Sequence, residues 1–419
     1  MSKKLINPST PESRQEEFNK LVVVEGLDKD EALQKLHEKY PHLKMTTLDR
    51  DTRHRGGKGL PLKQTINVQK LVETAKFHKA QSQKLLRKIA QTETFVEEVV
   101  SYIQPIELIE FPEIDIDENK KNMNMTFMNS DIHFNRVVDE EEMEGYGYYN
   151  FDVACANLYS CVKDIVAQAD FFSLNYNINE LHIDALGDMI NDEHREENKW
   201  TNQFVNSEAT VYASGVYAQM LIMLATKFPK IVVNCICGNE ARIPLKMTSK
   251  HYYHGYDYIM YEMTKAYLKD YIKQGKIDFR IFKSPTAIVE KMGWKALLMH
   301  GNSVKMWGTG TPVYGMLRMK YKEQDLRRNS GGFDFIESRH FHTAYEIENE
   351  SIYINGALCG LDQYVKNELH SSATPSQRLL FITEDRGVEF SRSIKGLGET
   401  EEHPFVYGDT NAAIARINA

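Results

Sequence analysis

Five short motifs carry the side chains with chemistry to offer: Ser130-Asp131-Ile132-His133, Gly187-Asp188, Gly238-Asn239-Glu240, His300-Gly301 and His340-Phe341-His342. Each is weak alone. Asp-x-His recurs by chance, and a lone histidine at a strand end is more often a satisfied structural residue than a ligand. Together they supply two Asp, one Asn and four His, each where an apolar run gives way to polar residues. Residues i and i+2 at a strand end point the same way. Asp131 and His133 can therefore grip one cation, while His340 and His342 converge from another strand. Mixed nitrogen and oxygen donors of this kind suit manganese, iron or zinc rather than calcium.

The elements that must position these motifs can be read from residue 125 onward. MTFMNSD reads as a strand, DVACANLYSCVKDIVAQA as an amphipathic helix and ELHIDALGD as a second strand. SEATVYASGVYAQMLIMLATKF reads as a helix, KIVVNCICGN as a strand and HGYDYIMYEMTKAYLKDYIKQ as a helix. Further strands are expected over 277–283, 286–290, 295–300, 333–338, 343–348 and 351–355, with a helix over 312–327. QRLLFITED and GVEFSRSI read as a closing hairpin. Alternating strands and helices, with polar motifs at strand C-termini, define an α/β architecture that places its site at the sheet edge.

The N-terminal part has a different texture. Residues 14–28, 29–40 and 45–55 read as three short helices, compatible with a helix-turn-helix or with a helical interaction bundle. Longer helices are expected over 66–103. Twelve Lys/Arg stand between Lys44 and Ala90 against three acids, Asp49, Asp51 and Glu73. That is either a solvated helical face or a phosphate-contacting surface. The whole chain of 419 residues is acidic, with formal net charge −8, which argues against non-specific coating of nucleic acid. Five scattered cysteines, of which Cys235 and Cys237 read as core thiols, imply a reducing, cytoplasmic setting. No apolar run is long enough to span a bilayer, so no membrane partner is expected.

The order Asp-x-His, Gly-Asp, Gly-Asn, His, His-x-His resembles that of the calcineurin-like metallophosphoesterases over roughly residues 125–385. The segments LLMHGNSVKMWG, TPVYGMLR and INGALCGLDQY make the chain most similar to the DNA-repair exonuclease branch, and to phage-type members with a helical N-terminal extension. The resemblance implies a two-sheet αββα sandwich over 125–419, a linker over 105–124 and an all-helical region over 1–104. It implies two metal sites, one from Asp131, His133 and His342 and one from Asn239, His300 and His340, bridged by Asp188. Two divalent ions ~4 Å apart, Mn²⁺ by preference, lower the pKa of a bridging water and clamp a phosphodiester for in-line attack. DNA is the implied partner, with an ATPase subunit as in related nucleases. The implied location is the cytoplasm, that of a host if the chain is phage-encoded.

Two positions depart from the family pattern. Glu240 stands where the family usually has a histidine that handles the leaving-group proton. A glutamate fills that role only with a pKa raised towards neutrality, and two adjacent cations push the other way. His194, His251 and His254 are the substitutes the sequence offers. Arg339 stands where the family usually has glycine, and is read as a contact for a substrate phosphate or as a solvent-facing residue. Arg242 is a second phosphate-contact candidate, and Trp307, in a glycine-rich loop, a candidate for base stacking. Glu240, Asn239 and His300 are thus the expected catalytic positions. The expected activity is that of a DNA exonuclease. The rivals are a small-nucleotide phosphodiesterase whose N-terminal helices form a homodimer, and a non-catalytic scaffold that keeps the cage.

Overall fold

The computed structural model describes residues 11–23, 25, 27–52, 94–112, 116–244, 246, 252–305, 312–363, 366, 374–397 and 402–408. The chain divides into two compact units, Met1–Glu93 and Thr94–Ala419.

The smaller unit contains α1 (Pro11–Val23), α2 (Lys29–Lys39) and α3 (Met45–Thr52). Asp28 starts α2 as a reciprocal cap. Its carboxylate accepts from the N–H groups of Asp30 and Glu31, and the Glu31 carboxylate accepts from the Asp28 N–H. Leu33, Leu36, Tyr40 and Leu48 form a small core with Phe18, Leu21 and Leu43. An Arg14–Asp51 ion pair at 2.8 Å ties α1 to α3. The basic stretch from Arg53 to Lys88 and the helices expected over 66–93 lie outside the described residues.

The larger unit opens with a helix over residues 94–102, α4. Val96 and Ile106 are buried in this unit's core, so residues 94–104, expected with the N-terminal region, pack here instead. Then follow β1 (Lys121–Asn129), α5 (Phe151–Ser173), β2 (Tyr176–Ala185), α6 (Glu196–Thr201), α7 (Asn206–Ala225), β3 (Lys230–Cys235), α8 (Tyr256–Tyr267), α9 (Lys269–Lys273) and β4 (Ile277–Ile281). β5 (Thr286–Lys291), β6 (Trp294–Met299), α10 (Val313–Leu326), β7 (Phe335–Ser338), β8 (Tyr345–Ile347), β9 (Ile352–Ile354), β10 (Ser376–Thr383) and β11 (Gly387–Lys395) complete it.

Two sheets result, in the orders β11-β10-β1-β2-β3-β4 and β5-β6-β7-β9-β8. β1 to β4 run parallel, as do β6, β7 and β9, and antiparallel strands flank each set. The strand alternation explains the layering. Met125, Phe127, Leu181, Ile183, Ile231 and Val233 pack in one core with α5, α7 and α8. Met128, Leu186, Ile236, Leu380 and Ile382 pack instead against Val289, Leu298, Phe335 and Tyr353 of the second sheet. Leu297, Met299, Ile336, Ile352 and Ile354 turn the other way, onto Met316 of α10. The layers are helix, sheet, sheet, helix: the two-sheet αββα sandwich. Among the described residues no helix is long and apolar enough to cross a membrane.

Candidate metal centre

Because the central strands of both sheets are parallel, the loops after β1, β2, β3, β6 and β7 leave from strand C-termini and carry all five motifs. Their backbones are unusual. Asp131, His133, Asp188, His340 and His342 all have positive φ, between 49° and 90°. Non-glycine residues adopt that region at an energetic cost that surrounding structure must over-determine, and such residues cluster at functional sites. Here the over-determination is visible. The Asp131 and His133 N–H groups donate to the carbonyls of Gly187 and Asp188, so the first loop rides on the second. Gln377 grips Ser130 at both ends, accepting from its N–H at 2.8 Å and donating to its carbonyl at 3.1 Å. A Cβ on Gly238 would fall 1.9 Å from Asp188 Oδ1, so only glycine lets the third loop approach.

Asp257, in the first turn of α8, is a residue that sequence reasoning missed. Its carboxylate accepts from the N–H groups of Asp188 (2.8 Å), Met189 (3.0 Å) and Gly238 (2.9 Å), locking the second and third loops together. Burial and the neighbouring Asp188 raise its pKa to about 7, against the pull of those N–H donors.

All seven predicted ligands meet. Asp131, His133 and His342 form one group with ligand atoms close enough to share an ion, and Asp188, His300 and His340 a second. The His133 and His342 rings lie 5.4 Å apart and those of His300 and His340 5.3 Å apart. Asn239 Oδ1 is 2.6 Å from His300 Nε2. The first group fits a divalent cation. Asp131 Oδ2, both ring nitrogens of His133 and Nδ1 of His342 are buried with no hydrogen-bond partner, and a cation would take up the carboxylate oxygen and one nitrogen of each ring. Burial favours the acid form of Asp131. The Arg339 guanidinium and the two histidines nevertheless hold it well below the usual carboxylate range. Burial and Arg339 also push the His340 imidazole down to about 4, leaving it neutral, as a ligand must be.

Arg339 itself corrects the sequence expectation. It is fully buried and turned inward, neither facing solvent nor reaching the open face. Nη1 contacts Asp131 Oδ1, Nη2 contacts His300 Nε2 and lies 3.2 Å from Asp188 Oδ2, and Nε–H donates to the Leu186 carbonyl at 2.9 Å. The physical reason is the alternation of β7 itself: Phe335 and Glu337 face the other sheet, and Arg339, two residues further on, continues that face.

Glu240 also sits in a ready-made ion-pair set. Its N–H donates to Asp188 Oδ1 at 2.8 Å, and its carboxylate lies 3.4 Å from Arg136, 3.6 Å from Arg195 and 3.5 Å from His133 Nδ1. Arg136, a further residue not singled out beforehand, also pairs with Asp362 and donates to Asn191. Arg242 is half-buried and its guanidinium folds back onto the Asn239 carbonyl. His194 Nε2 lies 2.6 Å from the Arg242 carbonyl. Trp307 and His251 lie outside the described residues. Beside His300 opens a cleft of about 510 Å³ lined by Tyr252, Asn302, Thr286 and Arg327, among others.

Fold and site together define a class: a two-sheet αββα protein with a candidate metal centre at the shared strand C-termini. No family model matches the chain, and no curated protein does. Among solved structures, Vps29 of Entamoeba histolytica complexed with Zn²⁺ is 11% identical, with TM-score 0.25, covering 65% of this chain and 99% of that one. A predicted phosphoesterase of Streptococcus pneumoniae is 11% identical, with TM-score 0.23 and 65% and 98% covered. The thiohydrolase SoxB of Thermus thermophilus is 8% identical, with TM-score 0.28 and 73% and 61% covered.

Proposed function

We propose that this protein is a divalent-metal-dependent phosphodiesterase acting on nucleic acid, with DNA as its substrate. One observation carries the reading. Two Asp, one Asn and four His converge at the strand ends, and buried carboxylate and imidazole atoms of the Asp131, His133 and His342 group are left without partners. The basic stretch between Lys44 and Lys88 supports a polyanionic substrate.

In this reading Asp131, His133 and His342 hold a cation that supplies Lewis acidity towards a phosphoryl oxygen and an attacking water. The chain does the rest. Asp257 fixes the Asp188 and Gly238 loops in register. Glu240, held by buried Arg136, is an ion-pair partner that keeps the half-exposed Arg195 guanidinium at the rim. Arg242 and Arg195 line the side from which a phosphate would approach. His194, whose Nε2 lies 2.6 Å from the Arg242 carbonyl, is the imidazole outside the cage that we assign to moving a proton to the leaving oxygen.

A second reading has its own support. The cleft beside His300 is of a size that holds a small ligand, which favours a nucleotide over a polymer. One assay separates them: Mn²⁺-dependent cleavage of end-labelled single- and double-stranded DNA against cyclic dinucleotides. DNA turnover that falls steeply with salt is the expected result. Turnover of cyclic dinucleotides alone moves the substrate to the second reading. Metal uptake with turnover of neither leaves a scaffold.

A further inference from the structure

The second half of the cage does not fit a metal as the first half does, because a side chain already fills it. His300 Nδ1 lies 3.0 Å from the Leu186 carbonyl, so that nitrogen carries the proton and Nε2 presents its lone pair. That lone pair and Asn239 Oδ1 converge, an arrangement that calls for a cation or donor against both. In this structure Arg339 Nη2 stands against His300 Nε2, and the same guanidinium bridges Asp131 and Asp188. Asp188 Oδ1 is meanwhile taken by the Glu240 N–H.

We propose that Arg339 is a built-in cation in place of the second metal ion, so that the centre binds one divalent ion, through Asp131, His133 and His342. Three observations carry the assignment. First, Arg339 is the largest fully buried side chain among the described residues, and a guanidinium is buried only where carboxylates pair with it. Second, besides Asp131, its partners are two residues that would have bridged and completed a second site, Asp188 and His300. Third, its backbone is pinned. A Cβ on Gly301 would fall 2.4 Å from the Arg339 carbonyl, so the loop after β6 closes directly over it. Charge agrees. One divalent ion and one guanidinium against Asp131 and Asp188 leave a single positive charge, matched to a phosphodiester monoanion. A second divalent ion beside Arg339 would crowd three cationic groups around two carboxylates.

This inference rests on the metal-centre reading, and the test separates the two. Full-length apo-protein is loaded with Mn²⁺ alone, desalted, and measured for ions per chain and by electron paramagnetic resonance. Wild type is expected to hold one ion with the six-line signal of isolated Mn²⁺. Arg339→Ala is expected to take up a second ion, with the broadened multiline signal of a coupled pair. Arg339→Gln, which keeps bulk without charge, serves as the second variant should the first fail to fold. Two coupled ions in wild type overturn the proposal while leaving the metal-centre reading intact, and this arm needs no variant. A single ion in wild type and in whichever variant folds overturns it also, since Arg339 then excludes nothing. No uptake by any form overturns both.

Discussion

Lys291 and Arg339 are both buried cations held between two carboxylates, yet the two regions are put to different uses. Lys291, at the end of β5, lies between Asp184 of β2 and Glu337 of β7, inside the sheet–sheet interface. Asn234 donates to Asp184 at 2.8 Å. Burial and Asp184 push Glu337 well above the usual carboxylate range, while Lys291 keeps Asp184 below it against burial. Glu337 is thus the one of the two that holds its proton more tightly. All three residues have ordinary strand backbones. Around Arg339 the same charge types recur with left-handed backbones at Asp131, His133, Asp188, His340 and His342, and with buried nitrogens of His133 and His342 that lack hydrogen-bond partners. The difference teaches that charge composition alone does not mark a site. Strained backbone and unmet imidazole nitrogens do.

Perturbing each region should sharpen that contrast. Asp188→Ala removes the carboxylate shared by Arg339, His300 and the Glu240 N–H, and should lower Mn²⁺-dependent phosphodiester turnover by at least about 10²-fold. Wild-type-like rates in that variant would remove Asp188 from the reacting centre. Lys291→Met leaves two buried carboxylates without their cation. It should cost about 3–5 kcal/mol in urea unfolding with little change in turnover per folded molecule. Replacing Lys291, Asp184 and Glu337 together by apolar residues of similar size should cost far less. Asp257→Ala frees four buried N–H groups, that of Ile190 included, and should cost about 1–3 kcal/mol, with turnover falling as well because two loops of the candidate centre lose their lock. Stability loss with no change in turnover would make Asp257 structural only.

The smallest expected effect lies away from both regions and depends on pH. Glu180 is half-buried, and its pKa is lowered to about 2 by the hydrogen bond from His182 and the ion pair with Lys230. Burial lowers the His182 pKa, so at neutral pH this partner acts as a neutral N–H donor rather than a cation. A carboxylate depressed on folding contributes stability above its unfolded pKa, and that stability is lost as pH falls through the folded value. Glu180→Gln should therefore cost about 1 kcal/mol near pH 7, discounted for exposure, and nothing near pH 2. A gap between the two melting curves that persists at pH 2 would refute the assignment.

Much of this was legible in the sequence, for identifiable reasons. The strands were readable from alternation and from apolar runs that end in polar motifs, and all seven candidate ligands stand at such ends. β7 to β9 are only three or four residues each, but the short turns between them still marked them. Arg339 was misplaced although it continues the face of Phe335 and Glu337, because nothing in a one-dimensional pattern announces that Asp131 and Asp188 stand opposite it. Asp257 reads in sequence as an ordinary acidic residue in the first turn of a helix. Its partners, Asp188 and Gly238, are 69 and 19 residues away. Arg136 shows no signal beyond its nearness to the first motif. The substrate side is where sequence carries furthest past structure, since Trp307 and most of the basic stretch fall outside the described residues.

The central claim is that the strand-end cluster is a metal-dependent hydrolytic centre. Its most direct test is the rate of bis(p-nitrophenyl) phosphate hydrolysis by full-length apo-protein titrated with Mn²⁺, beside His133→Ala under the same conditions. The account predicts turnover that rises with Mn²⁺ to saturation in wild type, and a His133→Ala variant that neither saturates in that range nor turns over measurably. Equal rates for the two proteins, or no Mn²⁺-dependent rate in wild type, would contradict it.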